Sequence, residues 1–155
     1  MRTSVFVLII LTFALEGFSQ DESARRKHFN VKNNLALDGF DPLSYFDGKP
    51  EKGNPQIKFN YRGVDYRFTS QANLNKFKSD PGKYEPAYGG WCAYAMGDSG
   101  EKVKIDPETF KILDGRLYLF YNFWGNNTLT DWKKDERKLK EAGDRNWNNL
   151  VNSPK

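Results

Sequence analysis

Few side chains in this sequence have reactive chemistry to offer, and their scarcity shapes the reading. Cys92 is the single cysteine and His28 the single histidine. One Cys excludes an intramolecular disulfide framework and any Cys-pair zinc site, and one His excludes a histidine-cluster metal centre. Cys92 and Met96 are four residues apart, a spacing that places both sulfurs on one face of a helix. Two soft donors on one face suit copper(I), with a third donor from His28 or a tyrosine. The same pair also reads as core filling, the usual role of Cys and Met. As a nucleophile, Cys92 would attack as the thiolate with His28 as its base. No motif places His28 beside it or supplies an acid partner.

The other candidates each have a plainer reading beside the chemical one. Asp38, Asp41, Asp106 and Glu108 are carboxylates for acid and base work, but Asp38-Gly39, Asp41-Pro42 and Asp106-Pro107 are also turn formers. Gly89-Gly90 ahead of a helix offers backbone amides to an anion, or else marks a turn or close packing. Asn126-Asn127-Thr128 has the form of a glycosylation acceptor. Aromatic residues make up 15% of the chain against 38% hydrophobic in all, so rings must carry much of the core burial. Tyr61, Tyr66, Tyr84, Tyr88 and Tyr94, with Trp91 next to Cys92, are the set from which a pocket for a sugar or planar ligand is expected. Its place would be where Tyr88 to Met96 meets the hairpin of Tyr61 to Phe68.

The elements that must position these residues are read from punctuation and periodicity. Ile57 to Tyr61, Arg62-Gly63 and Val64 to Phe68 predict a β-hairpin. Ser70 predicts an N-cap for a helix over 71–78, closed by Asp80-Pro81-Gly82. Trp91 to Met96 predicts a helical segment and Val103 to Ile105 a strand. Phe110 to Leu113 and Leu117 to Tyr121 flank Asp114-Gly115, the strongest hairpin signal in the chain. Thr130 or Asp131 is expected to open a long C-terminal helix reaching about Leu150. Gly143 weakens it by about 1 kcal/mol relative to Ala and predicts a bend or break. The order of elements predicts an α+β fold, a small antiparallel sheet with hairpins packed against several helices.

The start of the chain predicts export. Met1-Arg2, the apolar run Ser4 to Leu15 and Gly17-Phe18-Ser19 have the parts of a secretory signal peptide over 1–19. The run is shorter than the ~20 residues of a membrane span, so no span is expected after cleavage. Residues 20–34 are polar and without periodicity, which predicts a solvated leader ahead of a folded domain over 35–151. Arg25-Arg26-Lys27-His28 is the one basic cluster, in that leader. The net charge of +4 is otherwise spread with alternating sign, which argues against a nucleic-acid partner.

Asp38-Gly39-Phe40-Asp41-Pro42-Leu43-Ser44-Tyr45-Phe46, Tyr61 to Ser70, Phe77 and Asp80-Pro81-Gly82-Lys83-Tyr84 together resemble the YHS domain family. Tyr88 to Ala95, Asp106-Pro107 and the Asp114-Gly115 hairpin are similar to its secreted, single-domain branch. The resemblance runs from Leu35 to Trp147. Membership alone says little about function; the residues and the compartment together lead to the expectation of a periplasmic or extracellular module, binding a small ligand or accessory to a protein partner, with an enzyme the third reading behind it and the soft-metal binder. The family's metal-linked form carries cysteines proposed as ligands; the matching positions here are Ser44, Thr69 and Asn73. Hydroxyl and amide oxygens are poor ligands for copper(I) or zinc, so the soft-metal alternative rests on Cys92 and Met96.

Overall fold

The computed structural model describes residues 21–153; the expected signal peptide over 1–19 lies outside the described residues. Four two-residue turns organise the strands, and in each both central residues have positive φ, as type I′ turns require. Asn33-Asn34 (φ 51° and 65°) joins β1 (Val31–Lys32) to β2 (Leu35–Ala36). Arg62-Gly63 (48° and 82°) joins β3 (Asn54–Tyr61) to β4 (Val64–Phe68). Asp114-Gly115 (51° and 72°) joins β5 (Asp106–Leu113) to β6 (Arg116–Phe120). Trp124-Gly125 (51° and 79°) joins β7 (Asn122–Phe123) to β8 (Asn126–Asn127).

These hairpins make three small sheets. The first has the order β1-β2-β4-β3, and the other two are the hairpins β5-β6 and β7-β8. Pairing is antiparallel except between β2 and β4, which run parallel through Leu35 opposite Asp65. The expected strand over Val103 to Ile105 does not form. That segment is an irregular connection, and the Val103 carbonyl accepts the Cys92 N–H at 2.9 Å.

The helices follow their caps. Ser70 Oγ accepts the Asn73 N–H at 3.1 Å and opens α2 (Gln71–Ser79), and Asp80 caps the short α3 (Pro81–Tyr84). α4 (Ala93–Asp98) begins after Cys92, two residues later than expected. The C-terminal segment divides at 133–135 into α5 (Thr128–Trp132) and α6 (Glu136–Asn152). α6 runs unbroken through Gly143, contrary to the bend expected there. Glycine is present because a Cβ at that position would stand 2.8 Å from the Tyr88 hydroxyl.

The leader is no solvated linker. Residues 21–28 form a helix, α1, and its polar character is spent on the domain's own polar groups. Arg25 pairs with Glu85 at 2.6 Å, Arg62 with Asp21 at 2.5 Å, and Trp91 Nε1 donates to the His28 carbonyl at 2.7 Å. Phe29 packs edge-on to Trp147 of α6, with centroids 6.0 Å apart.

Two core clusters divide the interior, and β6 is the partition between them. Leu117 and Leu119 join Tyr45, Val64, Tyr66, Phe68, Phe77 and Cys92 on one side. Tyr118 and Phe120 join Tyr88, Ala93, Met96 and Trp132 on the other. Alternation of side chains along a strand sends neighbours to opposite faces. Both faces of β6 are covered, so its sequence is a continuous apolar run.

Candidate functional site

Ser44, Thr69 and Asn73 come together around a buried carboxylate. Asp41 is fully buried. Its Oδ1 accepts the Leu43 N–H at 2.9 Å. Its Oδ2 accepts the Thr69 N–H and hydroxyl, both at 2.8 Å, and Asn73 Nδ2 at 2.7 Å. Ser44 Oγ donates to the Asp41 carbonyl at 2.6 Å and accepts the Glu51 N–H at 2.9 Å. Both carboxylate oxygens are engaged, so this knot ties the chain before β3 to the start of α2. Asp41 is therefore more than the turn former its Asp-Pro context suggests.

Cys92 and Met96 are both fully buried but belong to different core clusters. Cys92 is the N-cap residue of α4 and lies outside the helix, so the shared helical face expected of the two sulfurs is lost. The Cys92 sulfur accepts the Tyr121 N–H at 3.4 Å and lies 3.4 Å from the Thr128 hydroxyl. His28 holds Trp91 through its backbone carbonyl. Among the described residues no group of three or more His, Cys, Asp or Glu is placed to hold a metal ion. The polar partners of the Cys92 sulfur are a hydroxyl and a backbone N–H, neither of them a soft donor.

The aromatic candidates are likewise shared out among different contacts. Tyr66 donates to Glu85 Oε1 at 2.6 Å, and burial, then the adjacent Glu85 carboxylate, pushes its hydroxyl well above the usual tyrosine range. Tyr88 bonds Asp144 Oδ1 at 3.0 Å and the Lys140 carbonyl at 3.2 Å, and burial, then Asp144, raises its pKa too. Tyr61 lies edge-on to Phe77 with Arg25 5.5 Å above its ring, and Tyr84 packs on Phe46. Trp91 is held against α1, with Lys102 5.9 Å from its ring centre. Tyr94 lines a surface cavity of about 420 Å³ between α4 and α6. Of Tyr61, Tyr66, Tyr88, Trp91, Cys92 and Tyr94, the last alone lines this cavity, and none lines the cavity beside α1 that Arg25, His28 and Phe29 border.

A different concavity lies on the outer face of the first sheet. Along β4, Val64, Tyr66 and Phe68 point into the core, so Asp65 and Arg67 point outward. Lys58 and Asn60 of β3 stand opposite Arg67 and Asp65, while Leu35 lies beside Asp65 and opposite Lys32. With Asp38 and Lys52 these side chains line a groove of about 450 Å³. Its edge is the turn Leu37-Asp38-Gly39, where three successive residues hold positive φ of 57°, 50° and 81°. Left-handed backbone at Leu and Asp is strained and persists only where its surroundings impose it. Lys52 braces the turn, donating to the Asp38 carbonyl at 2.6 Å while resting 4.3 Å above Phe40. Sequence reasoning missed this groove because its members come from four separate segments.

No family model, curated protein or solved structure matches the chain. Among the described residues no helix is long and apolar enough to cross a membrane.

Proposed function

We propose that the chain is an exported, non-enzymatic binding module of the YHS type that takes a small ligand on the outer face of its first sheet. One observation carries the reading: the single thiol, Cys92, is committed to the interior, whereas the groove from Lys32 to Arg67 is open and lined by side chains of both signs. Convergent polar groups in a concavity fix a ligand's orientation, and the polar lining of this groove suits a polar ligand. Export rests on the signal-like start of the chain, and family membership on the motifs from Asp38 to Ala95. The soft-metal alternative draws no support from the separated surroundings of Cys92 and Met96.

Amide spectra recorded against a library of small sugars, amino acids and organic anions test the reading. The Leu35 and Asp65 amides are expected to shift with at least one compound in a saturable way. Silence of both amides across the library would sink it. A copper(I) incubation followed by desalting is expected to leave less than stoichiometric metal; one retained equivalent, lost in Cys92→Ser, would instead establish the soft-metal reading.

A further inference from the structure

We infer that the groove on the first sheet binds a small oxyanion bearing two or more negative charges, of the phosphate or polycarboxylate class. The inference rests on the binding-module reading above and names the chemistry of its ligand. Lys58 and Arg67 are direct partners in the β3-β4 register. Directly opposed residues of one sheet face stand about 4.5–5.5 Å apart at Cβ, where like charges repel. A salt bridge to a neighbouring carboxylate is the common remedy, and the protein makes eight such pairs elsewhere among its described residues. None of them includes Lys32, Lys58 or Arg67.

The acidic groups nearby do not supply the missing charge. Asp65 points outward beside them but accepts Asn60 Nδ2 at 2.7 Å. Asp38 sits at the rim. The lining holds four cationic side chains, Lys32, Lys52, Lys58 and Arg67, against these two carboxylates, leaving an excess of two positive charges. None of the four cations has an ionic partner among the described residues, and Lys52 bonds a neutral carbonyl.

Arg67 is also the best placed of the four. It is half-buried while Lys32, Lys52 and Lys58 are exposed. Gly53 packs so closely over it that a Cβ there would stand 2.5 Å from the Arg67 carbonyl carbon. Its planar fork suits two oxygens of one phosphate or carboxylate, and a facing lysine adds a point charge. The charges elsewhere on the chain are interspersed, and the groove is a single concavity of about 450 Å³. A compact anion fits it better than a polymer.

Calorimetric titration of the purified chain with inorganic phosphate and with citrate, at ionic strength held constant by sodium chloride, tests the inference. Saturable binding of at least one of them at a single site is expected, weakened about tenfold or more in Arg67→Gln and in Lys58→Gln. Lys134→Gln, which alters a cation paired with Asp131 far along the chain, is expected to leave it unchanged. Without anion, Lys58→Gln and Arg67→Gln should melt no lower than the parent, because each relieves the opposed like charges. Absence of saturable binding, binding that survives both substitutions, or binding confined to an oligonucleotide would overturn the inference. An uncharged ligand that alone shifts the Leu35 and Asp65 amides would overturn it too, while leaving the binding-module reading standing.

Discussion

Thr69 donates twice to one oxygen of Asp41, through its backbone N–H and through its hydroxyl, both at 2.8 Å across 28 residues of chain. The same oxygen accepts Asn73 Nδ2. Replacement by Asn keeps the volume but turns an amide nitrogen or a single acceptor toward donors that had two charged oxygens. Unmatched buried donors each cost about 1–3 kcal/mol. Asp41→Asn is therefore expected to lower unfolding stability by about 2–4 kcal/mol, read from the denaturant midpoint at unchanged slope. A loss below measurement would mean that the knot is not structural.

Arg25 fastens the leader. Its guanidinium meets Glu85 at 2.6 Å with both side chains largely covered, and it rests 4.4 Å above Phe29 and 5.5 Å above Tyr61. Removing the cation leaves Glu85 with Tyr66 as its remaining side-chain partner. A covered charge stripped of its ion partner costs about 3–5 kcal/mol when fully buried; here about 2–3 kcal/mol is expected. Limited proteolysis of Arg25→Ala should cut within residues 21–30 well before the domain is degraded, and simultaneous cleavage of leader and domain would refute the local role.

Gly143 opposes two effects of opposite sign. Alanine would gain about 1 kcal/mol of helix propensity, but its Cβ would press on a Tyr88 hydroxyl already held by Asp144 and Lys140. Overpacking costs about 1–3 kcal/mol. Tyr88 is 2% exposed and cannot swing away, so the clash is expected to win and Gly143→Ala to melt lower. Tyr88→Phe added to it should recover part of the loss, which thermal melts of the pair would show.

Glu136 gives an acid-side signature. The Lys111 ammonium bonded to it holds its carboxyl below the usual glutamate range, with the Trp132 N–H assisting. A depressed carboxylate contributes stability above its unfolded pKa of about 4.3 and loses it as pH falls through the lower folded value. Lys111→Met should therefore flatten the fall of the melting temperature below about pH 4.3. The pair is 30% and 27% exposed, so the effect at neutral pH is held to less than about 1 kcal/mol. Parallel melting curves for the two proteins from pH 6 to pH 3 would contradict the assignment.

Local signals carried much of the fold. Arg62-Gly63 and Asp114-Gly115 each named its hairpin, and Ser70 named the start of α2, because these choices are made by a residue and its immediate neighbours. Asn33-Asn34 stands at the end of a polar segment without periodicity, where no flanking strand signal marks the turn. Its strands are two residues each and join the larger sheet only where Leu35 lies beside Asp65. Gly143 misled for the opposite reason, since its meaning is set by a tyrosine 55 positions earlier in the chain. The candidate site was least legible: Asp41 reads as a turn former until Thr69 and Asn73 reach it, and the groove joins side chains whose shared face only the register reveals.

The two-sided strand β6 ties the whole interior to a surface turn. Because successive residues face opposite ways, a one-residue slip against β5 would deliver Leu117 and Leu119 to the side occupied by Trp132, and Tyr118 and Phe120 to the side occupied by Phe77. The observed pairing of Leu113 with Arg116 across Asp114-Gly115 forbids that exchange, and the shift in register between Asp106 and Phe110 resets the far end. Two exposed residues thus assign four buried ones to their hydrophobic neighbourhoods, and lengthening the turn by one residue would scramble both at once.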